Sequence, residues 1–218
     1  MIPPSLDLER TLLAGGARFV VGIDEVGRGA LAGPVSVGVV VVDHGTGPAP
    51  DGLTDSKALT PQARERLEPL VAEWCVAWAV GHATAREIDA LGIIRALRTA
   101  ALRALATLPM RCEVAILDGS HDWLTGGDDL FSAADEMPVV TMRVKADLSC
   151  ASVAAASVLA KTARDRHMTE LDALYPGYGL AGHKGYGSAT HRAAIRALGP
   201  SDEHRRTWTL LPPETEHS

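Results

Sequence analysis

The chain has 218 residues, 46% of them apolar and 22% charged; this allows one sizeable core and excludes two large domains or a disordered polymer. No apolar run is long enough to span a bilayer, and MIPPSLDLER lacks the basic-then-apolar opening of a secretory signal, so the chain is expected in the cytoplasm, without a membrane partner. The formal net charge of −6 argues on its face against a nucleic-acid partner, but its distribution is uneven: residues 111–136 hold seven acids and one base, and residues 141–206 hold ten Lys or Arg and six acids.

ARFVVGID (17–24) reads as a short apolar strand ending in acid, and GRG (27–29) follows as a turn. PVSVGVVVVD (34–43) is a β-branched run, a second strand in hairpin relation to the first. Residues 44–52 form a surface loop. Thr60 and Pro61 open a helix to about Val71, since Thr caps and Pro suits the first turn. WCVAWAVGHA (74–83) is a third strand. Thr84 caps a short helix, and Ile93–Leu105 is another with apolar residues at helical spacing.

EVAILDG (113–119) is a strand that stops at Asp118, and 119–136 is a loop whose Asp128, Asp129, Asp135 and Glu136 read as solvated surface. PVVTMRV (138–144) is a further strand, 149–174 a long Ala-rich helix, 175–188 a Gly/Tyr-rich loop and 189–198 a final helix. Strands first and helices later predict an α/β fold, a mixed sheet flanked by helices, with a small helical C-terminal extension. The division expected is an N-terminal segment (1–16), a catalytic domain (17–174), the extension (175–211) and a disordered tail (212–218). Cys75, Cys112 and Cys150 are far apart with no C-x-x-C spacing, so reduced buried thiols are expected.

Acids recur at strand ends and helix starts: Asp24 and Glu25 at strand one, Asp118 at a later strand, Asp147 before the long helix. Carboxylates converging at a sheet edge suit hard divalent cations, and two such ions about 4 Å apart can act on a phosphodiester. Strand neighbours point to opposite faces, so for Asp24 and Glu25 both to reach one site the strand must twist or end there. Each acid taken alone reads more readily as a cap or surface charge than as a metal ligand. Gly27-Arg28-Gly29 allows close approach of backbone to a ribose or phosphate, or is a plain tight turn. Ser56 and Lys57, in DSK before a helix, present to phosphate or merely open the helix. In HKGYG (183–187), Tyr186 is placed to stack on a sugar or base, with Lys184 near for phosphate. His183 and His191 look superficially like metal ligands, but no cysteine or second close pair supports zinc.

Together these pieces resemble the type 2 ribonuclease H (ribonuclease HII) family. GIDEVGRGALAGPV (22–35) is similar to its N-terminal signature, and DSKALT, ILDG, VKAD, AAASVLAKTARDR, YPGYG, HKGYGSATH and LGPSDEHRR follow in order across roughly 18–208. The resemblance implies a ribonuclease H-like fold, an active site of four acids matched by Asp24, Glu25, Asp118 and Asp147, and two Mg²⁺ or Mn²⁺ ions. It implies that Gly27, Arg28 and Gly29 read the 2′-hydroxyl through backbone groups and that Tyr186 stacks beside the ribonucleotide. The implied substrates are RNA–DNA hybrids and duplex DNA with embedded ribonucleotides, cut 5′ to the ribonucleotide to leave 3′-hydroxyl and 5′-phosphate ends, with a role in ribonucleotide removal from DNA. Ala30 and Val26 stand where many members carry Pro and Ala, and Leu148-Ser149-Cys150 where many carry polar or basic residues. No long N-terminal substrate-binding domain is seen, unlike the type 3 relative. Lys57, Lys184, Lys161, Arg164 and Arg166 are expected on backbone phosphates, although Lys161 and Asp165, one turn apart, equally suit a local ion pair. Arg205 and Arg206 touch nucleic acid or cap the extension.

A DNA-cutting enzyme on the same fold, a non-catalytic nucleic-acid binder and a magnesium enzyme of small phosphorylated molecules are the rival readings. The last should carry G-x-x-x-x-G-K-[ST], and none is present. A monomer is the expected state for this size.

Overall fold

The computed structural model describes residues 3–126 and 137–212. The acids at 128, 129, 135 and 136 and the tail from 213 lie outside the described residues. A five-stranded mixed sheet has the order β3-β2-β1-β4-β5, formed by β1 (Val20–Val26), β2 (Val35–Val42), β3 (Ala77–Ala83), β4 (Val114–Asp118) and β5 (Val139–Arg143). β1 and β2 pair antiparallel, Val20 opposite Val42, as the hairpin reading expects. β4 runs parallel to β1 and β5 parallel to β4, and the connection from β3 to β4 is a crossover over the sheet.

Period-two alternation sorts the strand residues into two cores. Val20, Val40, Val42 and Ile116 face α6 (Ala151–Leu174) and α1 (Asp7–Ala14). Val21, Ile23, Val37, Val39 and Leu117 face α4 (Ile93–Ala106). α6 is buried almost all round through its first three turns, which explains its alanines: small side chains let a helix sit close to a sheet. The sheet reciprocates with glycine. A Cβ at Gly22 would strike Ser152, and one at Gly38 would strike the Ala156 carbonyl.

Helices α2 (Pro61–Trp74) and α3 (Ala85–Leu91) begin where their caps predict, with Thr60 and Thr84 accepting from backbone N–H groups, and α8 (Ala189–Leu198) is capped in the same way by Ser188. Five details differ from expectation. β1 runs two residues past Asp24 because its pairing with β2 continues to Val26 opposite Ser36. The strand expected from Trp74 starts at Ala77, since α2 keeps its hydrogen bonds to Cys75. Asp147 sits on a separate turn, α5 (Ala146–Ser149), entered through left-handed Lys145. The N-terminal segment forms α1, held by Ser5 pairing with Ser149 and Ala151. The loop 175–188 contains one helical turn, α7 (Leu180–His183).

Candidate active site

β1 brings Asp24 and Glu25 to the edge where the crossover begins. β4 lies beside it in register, Ile23 opposite Leu117, so Asp118 ends its strand next to Asp24. The Asp118 carboxylate accepts the Ala146 N–H at 2.7 Å, which caps α5 and delivers Asp147 to the same edge. Lys57 stands among them, with its ammonium 3.6 Å from Asp147 and 3.9 Å from Asp55.

The electrostatics describe one site. Burial first, then the Glu25 carboxylate beside it, pushes Asp24 up to about 8, against the opposing hydrogen bond from Ser157. Glu25 is raised by burial, with Asp118 adding to it and Arg28 opposing. Asp147 is raised by burial, Asp118 and Asp55. Burial would lower Lys57, but Asp24, Asp55, Asp147 and Asp118 outweigh it and raise it. Thus Asp118 acts on each of the other three expected acids and Glu25 acts on Asp24, while Asp55, expected only within a helix-opening triplet, joins them through Asp147. Among the described residues no three acid, His or Cys side chains enclose an ion-sized point as they stand. The donor set is nonetheless all carboxylate oxygen, crowded and mutually repelling, and a hard divalent cation is the partner such a set fits.

The DSK loop supports this cluster. Ser56 is buried and its hydroxyl meets that of Ser157 at 2.8 Å. Its side chain therefore faces the Asp24 support and not solvent, while Lys57 remains 70% exposed. Ser157, hidden within the alanine run of α6, carried no signal of its own in the sequence.

Gly27 has φ +83°, and a Cβ there would run into the Arg164 guanidinium; only glycine serves at this position. Arg164 and Arg205 are both fully buried, with no carboxylate partner among the described residues. Arg205 donates to the carbonyls of Gly27 at 2.6 Å, Arg28 at 2.8 Å and Gly33 at 3.1 Å. Arg164 donates to Pro34, Ala32 and Lys184 carbonyls and lies under the Tyr186 ring, 5.6 Å from its centre. Neither guanidinium faces solvent, so the expected phosphate contact of Arg164 does not arise; burial serves the two loops instead. With the turn's carbonyls held inward, the N–H groups of Arg28 and Gly29 have no acceptor among the described residues. Arg28 itself is half exposed, 3.5 Å from Glu25.

The other cations are engaged. Lys161 pairs with Asp165 at 2.6 Å, the local reading of the two offered, Arg166 pairs with Glu68 and Arg206 with Asp202. Lys184 donates to the Asp165 carbonyl and to Thr169. Tyr186 is 38% exposed beside them. The ring nitrogens of His183 and His191 are taken up by backbone groups and by His204.

Acids at the adjoining ends of β1 and β4 in a mixed sheet, beside a glycine turn, define a hydrolase of the nuclease type. The ribonuclease HII family model matches residues 21–211. Ribonuclease HII of Streptomyces coelicolor is 46% identical over 210 residues, covering 96% of this chain and 85% of that protein. Ribonuclease HII of Thermus thermophilus is 48% identical over 190 residues, covering 87% of this chain and 86% of that protein. The crystal structure of ribonuclease H2 from Pyrococcus horikoshii OT3 superposes with a TM-score of 0.70 at 27% identity, covering 88% of this chain and 94% of that one. The chain belongs to the ribonuclease HII family. It has the ribonuclease H-like fold and is a hydrolase of RNA in RNA–DNA hybrids.

Proposed function

We propose that the chain cuts duplex DNA on the 5′ side of an embedded ribonucleotide, as well as the RNA strand of hybrids, and so serves ribonucleotide removal from DNA. The observation that carries this is the adjacency of two devices: the carboxylate cluster of Asp24, Glu25, Asp118 and Asp147, and a turn whose Gly27 and Arg28 carbonyls are held by Arg205 while the Arg28 and Gly29 N–H groups have no acceptor among the described residues.

Bound divalent cations, Mg²⁺ or Mn²⁺ and two in number, would supply an activated water and charge stabilisation at the departing 3′-oxygen. The four carboxylates would hold them, and Lys57, exposed on its long stem, would contact the neighbouring phosphate. The Arg28 and Gly29 N–H groups would donate to the ribose 2′-oxygen, a contact that deoxyribose cannot make. Tyr186, seated on the Arg164 guanidinium, would pack on the adjoining sugar. Lys184 adds a positive charge at the loop, although its ammonium is turned onto α6.

The test is a labelled DNA duplex carrying one ribonucleotide, incubated with the protein and Mg²⁺ or Mn²⁺ beside an all-DNA duplex and a long RNA–DNA hybrid. A single metal-dependent cut 5′ to the ribonucleotide, with the control intact, is expected. Cutting of both duplexes would remove the ribose reading at Gly27–Gly29, and cutting of long hybrids alone would remove the single-ribonucleotide role.

A further inference from the structure

The C-terminal extension holds three histidines in contact. His183 stacks on His191 with ring centres 4.1 Å apart, and His191 meets His204 at 5.2 Å. His191 and His204 are fully buried. Hydrogen-bond logic sets their tautomers. The Ser201 N–H points at His204 Nδ1, 3.0 Å away, so Nδ1 accepts and Nε2 carries the proton. His204 Nε2 faces His191 Nε2 at 3.1 Å, so His191 Nε2 accepts. His191 Nδ1 then carries a proton and donates it to the Tyr186 carbonyl at 3.0 Å. Every polar atom in this path has one role, and the path ends on the backbone of the residue proposed to lie against the ribonucleotide.

The origin of the path is also fixed. Residue 204 pairs with Ala32 as an isolated bridge, and the next residue is Arg205, whose guanidinium grips the Gly27 and Arg28 carbonyls. Adjacent residues of one segment therefore reach the ribose-reading turn and, through His191, the Tyr186 loop. The loops also touch directly, Leu31 N–H to the Gly185 carbonyl at 2.8 Å.

We infer that His204 and His191 are positioning residues that set the place of Tyr186 relative to the Gly27–Gly29 turn, through the chain Ser201 N–H to His204, His204 to His191, and His191 to the Tyr186 carbonyl. Neither touches substrate. The inference rests on the proposed role of Tyr186 and extends it to residues whose aromatic rings lie out of solvent behind the loop.

The experiment is a double-mutant cycle on the single-ribonucleotide duplex, with kcat and KM measured separately for wild type, Tyr186→Ala, His204→Phe, His204→Gln and the double variant Tyr186→Ala/His204→Phe. Phe fills the ring volume but breaks the relay. Gln carries an acceptor oxygen and a donor nitrogen at about the reach of the imidazole. His204→Phe is expected to lower kcat/KM by roughly three- to tenfold, the scale of one lost buried hydrogen bond, and His204→Gln to restore most of it. In the Tyr186→Ala background His204→Phe is expected to add little. Additive losses in the double variant, or equal losses for Phe and Gln, would overturn the positioning role. Wild-type activity in Tyr186→Ala would instead remove Tyr186 from the site. A loss in Tyr186→Ala with His204→Phe equal to wild type would leave that reading standing and discard the relay. Should His204→Phe fail to fold, His191→Phe, which removes the ring nitrogen 3.0 Å from the Tyr186 carbonyl, carries the same cycle.

Discussion

Asp118 illustrates why a single acid can matter more for charge than for shape. One of its oxygens caps α5 through the Ala146 N–H, and an asparagine oxygen can make the same bond. Asp118→Asn should therefore fold normally, with an unchanged circular dichroism spectrum and, with one repelling charge removed from the cluster, a melting temperature no lower than that of wild type in the absence of metal. It should lose activity by about 10²–10³-fold, the scale seen when one electrostatic stabiliser is removed from an active site. Full activity in the folded variant would remove Asp118 from the cluster. Asp24 has a harder setting: it is 4% exposed, with Ser157 and Lys57 the favourable partners that oppose its burial. Ser56, Ser157 and Arg64 form its scaffold, the last donating to the Ser56 and Leu59 carbonyls and pairing with Asp165. These roles are invisible in a motif, because serine in an alanine helix looks like any small residue until the partner strand is in place.

Helix α6 is the element on which the site depends. It packs on β1 and β2, holds Ser157 behind Asp24, and carries Arg164 two turns further along. Gly38 permits that distance, so Gly38→Val should cost about 1–3 kcal/mol through overpacking. Urea unfolding would measure this, and a loss well below that range would mean that α6 can shift without penalty. The histidine relay is a second element-scale device, and its protonation has a definite sign. Burial first, and then His191, hold His204 down to about 4, and burial lowers His191 as well. The titratable and charged neighbours opposing their protonation are His183, Arg192 and Arg206. The unfolded chain takes up these protons near pH 6.5, while the fold refuses them, so the neutral pair stabilises above that pH. This contribution is lost as pH falls from about 6.5 towards 4. A plot of unfolding free energy against pH should flatten in that window for His204→Gln relative to wild type. Parallel curves would show that His204 titrates normally in the fold.

For the molecule as a whole, the carboxylate edge is a cost that cation binding removes. Mg²⁺ at about 100 times its dissociation constant should stabilise the fold by about 2.7 kcal/mol, a rise of roughly 5–10 °C in melting temperature for a chain of this size. Scanning calorimetry with and without the ion checks this, with Asp118→Asn expected to show a much smaller rise. An equal rise in both would place the ion elsewhere.

The amino-acid sequence by itself determined the existence of the five strands, through apolar and β-branched runs, and two capped helices, through Thr60 and Thr84. It also picked out the four acids, because each stands at or near a strand end or before a helix in a block of distinctive residues. It did not reveal α1, an eight-residue helix whose stability comes from docking on α6. It could not separate Arg164 and Arg205, buried on carbonyls, from Lys57, exposed among acids. Nor could it find that His191 and His204, thirteen residues apart, face each other. Propensity and periodicity are local properties, and the sequence records them directly. Which cation is buried, which serine stands behind which carboxylate, and which histidine must accept a proton are set by contacts between distant segments. Those contacts exist only once the sheet order brings β1, β4, α6 and the C-terminal segment to one edge.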